Sequence, residues 1–269
     1  MIDKNLSTPL ISVLMSVHNN QDTLEECLKS VCKQTYTNWE LIICNDASTD
    51  DSLAILKSFS CKDHRIKFFN NEKNLGLAAS LNKCINEAKG KYIVRLDADD
   101  QSLPDRFKTQ VKFLEEHTEL SMVGSSMFVK NDSGIVGVRH NTNKLTAQSF
   151  LKGSPFFHPT IMIRKDVLLS LGGYNTIVSR AEDLDLWFRF YKKGFKGANL
   201  GKPLYIYHEN TEDLKKRTLK SAFITSKVFY KGYKSIGIPW FKRWIAIKPI
   251  ISSLIPNKLL AYYHRIKLN

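Results

Sequence analysis

Tyr92 to Asp100 reads Tyr-Ile-Val-Arg-Leu-Asp-Ala-Asp-Asp, a short apolar run that ends in three carboxylates. An apolar run of this length is the pattern of a strand buried on both faces. Asp97, Asp99 and Asp100 gather negative charge at its end, where each raises the others' pKa unless something positive sits among them. A hard divalent cation, Mg²⁺ or Mn²⁺, answers that need, because it takes carboxylate oxygens and shares them with a substrate's phosphates. A solvated acidic turn before a helix starting near Pro104 is the plain alternative. Two other apolar runs also end in polar groups: Leu10–Val17 leads to His18 and Asn19, with Ser16 near its end, and Glu40–Cys44 leads to Asn45, Asp46 and Ser48.

Those three clusters need a scaffold that brings them together, and the first hundred residues supply its pattern. Strand signals at Leu10–Val17, Glu40–Cys44, Ile66–Phe69 and Tyr92 onward alternate with single helices. Thr23-x-x-Glu26 reads as a capping box for the first helix, and Gly90 stops the third. Strands separated by single helices imply a parallel sheet with right-handed crossovers. Ligands of such sheets sit beyond the carboxyl ends of the strands, which is where all three polar clusters fall. Farther on, Ser121–Lys130 and Ile135–Arg139 flank a hairpin-type turn at Asn131–Gly134. Ile161–Arg164 is another strand, and a helix follows Arg180 with Leu184, Trp187, Phe188 and Tyr191 at helical spacing.

The chain has 269 residues and 43% apolar content, enough for one large domain or one domain with an extension. No apolar stretch approaches the roughly 18 residues that span a bilayer. The first residues lack the apolar core of a signal peptide, so the chain is expected to stay in the cytosol. Five cysteines form no C-x-x-C pair and suit reduced, buried thiols. The formal charge of +14 is uneven: residues 206–269 carry 13 Lys/Arg against three acids, and no acid follows Leu214. Such a tail calls for an anionic partner.

In order along the chain stand Val13-Leu-Met-Ser-Val-His-Asn-Asn20, Gln34-Thr35-Tyr36-x-x-Trp39-Glu40, Asn45-Asp46-Ala47-Ser48-Thr-Asp50, Asn74-x-Gly76, Asn82 and Ala88-x-Gly90. Then come Asp97-x-Asp99-Asp100, Gly172-Gly173-Tyr174 and Glu182-Asp183-x-x-Leu186-Trp187-x-Arg189. Over residues 10 to about 207 this series resembles a family 2 glycosyltransferase of the GT-A fold: an α/β domain with a mostly parallel sheet flanked by helices. Ser16 replaces a usual Pro, His18 a common Tyr, and Asn45-Asp46-Ala47 a usual Asp-Asp-Gly. The resemblance implies a catalytic domain over 1–209, a nucleotide-sugar donor (most often a UDP-sugar) and inversion at the anomeric carbon; the uneven charge marks 210–269 as a basic aromatic C-terminal extension. It implies metal contact by Asp99 and Asp100, with Asp97 on ribose or a water, and a base-binding pocket of Ser16, His18, Asn19 and Asp46. By itself, Asp46 is equally a helix cap, and His18 a surface turn.

Inversion needs a base opposite the leaving group, and the resemblance gives that role to Asp183 beside Glu182. Both acids also suit a helix N-terminus. Asp185, two residues on, cannot point the same way as Asp183. Trp187, Arg189 and His158 are acceptor-side candidates, although Trp187 fits a core position and His158 a structural one. The tail interleaves rings and charges (Phe229-Tyr230-Lys231, Trp240-Phe241-Lys242-Arg243-Trp244, Tyr262-Tyr263-His264-Arg265), which favours the anionic inner surface of a membrane. Packing of this segment on the catalytic domain is the alternative. Membrane attachment suits a lipid-diphosphate-linked saccharide acceptor, as in O-antigen or capsule assembly. Two other readings compete: a nucleotidyltransferase acting on a sugar phosphate, and a basic nucleic-acid- or membrane-binding module without catalysis. The first leaves Glu182-Asp183 unexplained, and a nucleic-acid module leaves the carboxylates unexplained, so no nucleic acid is expected as partner.

Overall fold

The computed structural model describes residues 8–141, 146–209 and 218–255. Four parallel strands form the first half of a nine-stranded sheet: β1 (Ile11–Val17), β2 (Trp39–Asn45), β3 (Ile66–Asn70) and β4 (Tyr92–Arg95). Their spatial order is β3-β2-β1-β4, and helices α1 (Leu24–Cys32), α2 (Ser52–Lys62) and α3 (Leu77–Glu87) connect them. The expected parallel sheet holds for this half only. Beyond β4 come the two-residue strand β5 (Gln101–Ser102) and helices α4 (Arg106–Glu116) and α5 (Lys165–Ser170). The sheet is mixed there: β8 (Met162–Arg164) runs antiparallel to β4 and to β6 (Met122–Asn131), and β9 (Gly197–His208) runs parallel to β6 and antiparallel to β5. The turn at Asn131–Gly134 does join β6 to an antiparallel β7 (Gly134–Arg139).

Alternation explains why the central strands are apolar throughout. Val13, Met15, Leu41, Ile43 and Val94 join the core on one face, whereas Leu14, Ile42, Cys44 and Ile93 join the core on the other. Helices cover both sides, so neither face can be polar. Of the polar side chains in these strands, Ser12 and Glu40 satisfy each other: Ser12 Oγ donates to Glu40 Oε1 at 2.7 Å, and Lys89 N donates to the same oxygen at 2.8 Å. Gly90 follows because a Cβ there would meet Ser12 N at 2.5 Å.

Two local expectations change. Thr23 does not cap α1 through its side chain; its hydroxyl donates to Ala98 O at 3.2 Å, tying the helix to the acidic turn. Only Cys27, Cys44 and Cys84 are buried; Cys32 and Cys61 are exposed, and all five are free. Pro249 lies in the first turn of α8 (Lys248–Leu254), where a missing N–H costs nothing.

The extension is not a separate body. Helix α7 (Leu219–Ser235) packs on α6 (Glu182–Lys192), and Tyr233, Ile238 and Ala246 belong to the same core cluster as Trp187 and Phe188. The approach is close at Gly232, where a Cβ would stand 2.1 Å from Phe188 Cδ2. The following stretch differs: Trp240, Phe241 and Trp244 are 80%, 57% and 63% exposed. The Tyr262–Arg265 expectation lies outside the described residues.

Candidate active site

Because β2, β1 and β4 are adjacent and parallel, their carboxyl ends bring Asp46, Ser16 to Asn19, and the Asp97–Asp100 turn to one edge. The turn itself is tight. Asp100 N donates to Asp97 O at 3.2 Å, and Cys27 Sγ on α1 donates to the same carbonyl at 3.2 Å. One oxygen from each of Asp97, Asp99 and Asp100 lies within 4.8 Å of the others. Hard oxygen donors this close fit a divalent cation such as Mg²⁺ or Mn²⁺.

The three carboxylates are not equivalent. Asp100 is buried, with Oδ2 accepting from Tyr205 hydroxyl at 2.8 Å and Oδ1 from His208 N at 2.7 Å. Burial first, then the charges of Asp97 and Asp99, push its pKa well up. Asp99 faces a cavity of about 130 Å³ that Lys130 and His208 also line. Asp97 is gripped by both terminal nitrogens of Arg95, one of them at 2.6 Å. Asp99 is thus the carboxylate most open to a cation, and Asp97 the one already neutralised.

Arg95 is a residue of this edge that the motifs missed, although a lone charge inside Tyr-Ile-Val-Arg-Leu signals a buried partner. A second missed cation, Arg106, is fully buried beneath it. It donates to Arg95 O at 3.0 Å and Pro159 O at 2.8 Å, and its guanidinium lies 4.9 Å from the centre of the Tyr205 ring. Burial pulls its pKa down to about 10. It is a brace: one guanidinium ties together the end of β4, the His158 turn and the ring that holds Asp100.

The Glu182-Asp183 pair opens α6 directly after Ala181, whose φ of 63° and ψ of 37° put a non-glycine residue in the left-handed region. That conformation costs roughly 1–2 kcal/mol and persists only where surrounding packing enforces it. Asp183 has its pKa raised to about 6, by burial first and then by Glu182, with Arg95 opposing. The Arg95 guanidinium therefore acts on both Asp97 and Asp183. Asp185 points elsewhere, as expected, and pairs with Arg189 at 2.7 Å.

The acceptor-side expectations change with placement. Trp187 is fully buried, its ring centre 5.3 Å from Phe156 and 5.8 Å from His158. It supports the site from within and cannot offer an acceptor floor. Arg189 faces away from Asp183, donating to Asp185 and to Leu171 O at 2.6 Å. His158 is buried and shares a 2.7 Å hydrogen bond with Tyr174 hydroxyl. Burial, then Arg95, holds its pKa well below the usual imidazole range, so the ring is neutral. Tyr174 is fixed in turn by Asn82, which donates to its carbonyl and accepts from its amide, both at 2.8 Å. Gly173 precedes it with φ 66°, and a Cβ there would meet Asn82 Oδ1 at 2.5 Å.

On the nucleotide side, Ser16 is half-buried and His18 exposed, its Nδ1 2.9 Å from Asp46 O. Asn19 adopts φ 55°, donates from its amide to Ser48 Oγ at 3.1 Å and accepts from Thr49 N at 2.9 Å. Asp46 is buried and its oxygens are already engaged: Oδ1 accepts from Asn71 at 2.7 Å and Leu75 N at 2.8 Å, and Oδ2 from Gly76 N at 2.8 Å. Burial opposes the charge, but these donors outweigh it and hold the pKa below the ordinary range. Asp46 does not cap a helix; it fastens the Asn71–Gly76 loop over the strand ends. Ala47 follows with φ 57°, which gives the physical reason for glycine there in the related motif.

Residues 12–172 match the family model described as Glycosyl transferase family 2. The putative glycosyltransferase EpsE of Bacillus subtilis is 38% identical over 262 residues, covering 96% of this chain and 94% of that protein. The UDP-Glc:alpha-D-GlcNAc-diphosphoundecaprenol beta-1,3-glucosyltransferase WfaP of Escherichia coli is 28% identical over 238 residues, 88% of this chain and 91% of that one. Among solved structures, S. aureus TarS 1–349 in complex with UDP-GlcNAc superposes with a TM-score of 0.71 at 19% identity, over 90% of this chain and 72% of that chain.

Proposed function

The chain belongs to glycosyl transferase family 2, has the GT-A fold and is a glycosyltransferase of polysaccharide biosynthesis; from that premise we propose that it is a metal-dependent, inverting enzyme. In this reading it moves a hexose from a UDP-sugar to a lipid-diphosphate-linked glycan at the cytoplasmic face of the membrane, in O-antigen or capsule assembly. One observation carries it: a three-carboxylate cluster and a raised-pKa carboxylate both lie within the reach of Arg95. Asp99, with Asp100 and Asp97 beside it, would hold a Mn²⁺ or Mg²⁺ ion, which would supply Lewis-acid stabilisation of the charge collecting on the departing diphosphate.

The chain's own residues then account for the rest. Asp183, at about 6, is ionised at neutral pH yet basic enough to accept a proton. The acceptor hydroxyl attacks the anomeric carbon in line and gives its proton to Asp183. The bond between that carbon and the diphosphate oxygen breaks, its electron pair leaving with UDP. Glu182 raises the basicity of Asp183 by like-charge repulsion. Neutral His158, braced by Tyr174, is a wall of the acceptor side rather than a competing base. Ser16, His18, Asn19 and the loop fastened by Asp46 form the uridine pocket, with Asp97 turned to ribose.

Relatives' names support the donor and acceptor: WfaP is named for UDP-Glc and a diphosphoundecaprenol-linked GlcNAc. Membrane attachment is supported by the tail. No helix among the described residues is long and apolar enough to cross a bilayer. Three residues per turn in the 3₁₀ segment Trp240–Ile247 align Phe241, Trp244 and Ile247 in one exposed ridge, which Ile251 and Leu254 continue. Residues 218–255 carry seven Lys/Arg and no acid. An aromatic ridge among cations suits an anionic bilayer surface better than a nucleic-acid backbone, which has no use for the apolar edge.

The deciding experiment is a panel of nucleotide sugars with a synthetic lipid-diphosphate sugar acceptor, assayed with and without Mn²⁺. Transfer from a UDP-sugar only with metal, with inversion seen by NMR of the product, is expected. Equal transfer in EDTA, or a retained anomer, contradicts the reading.

A further inference from the structure

The outer face of α6 and the tail helix α7 enclose a groove of about 610 Å³ whose lining includes none of Asp97, Asp99, Asp100, Glu182 and Asp183. Cations line it from both walls, Arg189 and Lys192 on α6 and Lys227 and Lys231 on α7. Asp185 is the acid in its lining, and it is held in the ion pair with Arg189. The groove therefore carries a surplus of positive charge. Arg189 Nη2 is buried with no hydrogen-bond partner among the described residues, and a buried guanidinium donor left unfilled is costly. Between the cations the wall is apolar, with Ile224 and Val228 on α7 and Phe188 on α6. A groove with several cations and an apolar floor matches an anionic head group on a hydrocarbon chain.

Asp185, Arg189 and Lys192 recur at i, i+4 and i+7 and share one helix face, whereas Asp183 lies about half a turn away. A phosphate bound here is therefore not the donor's diphosphate. We propose that the groove receives a lipid-borne phosphate, either the diphosphate of the acceptor or the head group of an anionic phospholipid. Its second wall is the helix that leads into the exposed aromatic ridge, so an occupant reaches it from the bilayer side. The proposal rests on the lipid-acceptor and membrane reading above.

The test uses the full chain with Lys227→Ala and Lys231→Ala combined, both lysines being exposed. Two contacts to an anionic group predict a loss of roughly thirtyfold. One arm measures KM for a prenyl-diphosphate-linked glycan in detergent; the other measures sedimentation with phosphatidylglycerol vesicles against phosphatidylcholine vesicles. A raised KM with vesicle binding intact assigns the groove to the acceptor diphosphate. Weakened vesicle binding with KM intact assigns it to the phospholipid head group. The donor KM should not move, the pair Lys227→Arg and Lys231→Arg should restore function, and a control pair, Lys108→Ala with Lys112→Ala, should have no effect. If wild type acts on the lipid acceptor or binds the vesicles and the double variant matches it in both arms, the groove proposal is wrong. If wild type does neither, the lipid reading fails and the groove falls with it.

Discussion

Replacing Asp183 with Asn should lower turnover by a factor of about 10² or more while leaving UDP-sugar binding nearly intact, because the amide keeps the shape and loses the proton acceptor. The carboxyl's raised pKa makes the case quantitative. At about 6, about 91% of the enzyme holds an ionised base at pH 7 and about 9% at pH 5, so kcat/KM should fall about tenfold between them. An ordinary carboxyl near 3.8 would leave that interval almost flat. The same shift has a consequence for stability. Between pH 4 and 6 the unfolded chain releases this proton and the folded one keeps it, so Asp183 costs the fold progressively more as pH rises. Raising the carboxyl from its ordinary 3.8 to about 6 corresponds to about 3 kcal/mol. The Asn variant escapes that loss. Relative to wild type it should gain about 6 °C in Tm between pH 4 and pH 7.5, at roughly 2 °C per kcal/mol for a chain of this size. Steady-state kinetics from pH 5 to 8 and thermal melts at the two extremes measure both effects. Unchanged turnover removes Asp183 as the base, and a Tm difference that does not vary with pH refutes the burial argument.

Asp99→Ala should abolish Mn²⁺-dependent UDP binding in calorimetry, and tight UDP binding by wild type in EDTA would sink the metal assignment. Gly232→Ala forces a methyl into the Phe188 ring at 2.1 Å, which should cost about 1–3 kcal/mol and expose α7 to limited proteolysis; an unaltered melt would show that the two helices can part freely. Trp39 and Trp187 are buried at 2% and 0% exposure, whereas Trp240 and Trp244 are open. Phosphatidylglycerol vesicles should therefore shift emission to the blue in wild type but not in Trp240→Ala with Trp244→Ala. A shift that survives the double substitution locates the membrane contact elsewhere.

Periodicity and ordered motifs carried much of this molecule. Apolar strands, single connecting helices and polar strand ends predict the parallel half-sheet and the edge where the clusters meet, because each depends on local spacing and on the rule that both faces are covered. The antiparallel insertion of β8 between β4 and β6 has no such local signal. It depends on which strand edge is free when the chain returns, a contact between residues about seventy apart.

Residue types therefore determined the chemistry on offer: three hard carboxylates at a strand end, an acidic pair at a helix start, and a basic tail with rings. Tertiary structure decided how each is used, because burial and partners set the availability of a side chain. Asp46, Asp97 and Asp100 are the same residue type, yet one fastens a loop, one is clamped by Arg95 and one is held by Tyr205. Trp187 and Trp244 likewise differ only in place, one inside the core and one facing solvent. Of the tail's two expected fates, packing on the catalytic domain holds for its first helix, which lies on α6, while the next segment leaves its rings exposed. Spacing along a chain encodes which way a side chain points on its own element; what stands opposite it is decided only when distant elements pack.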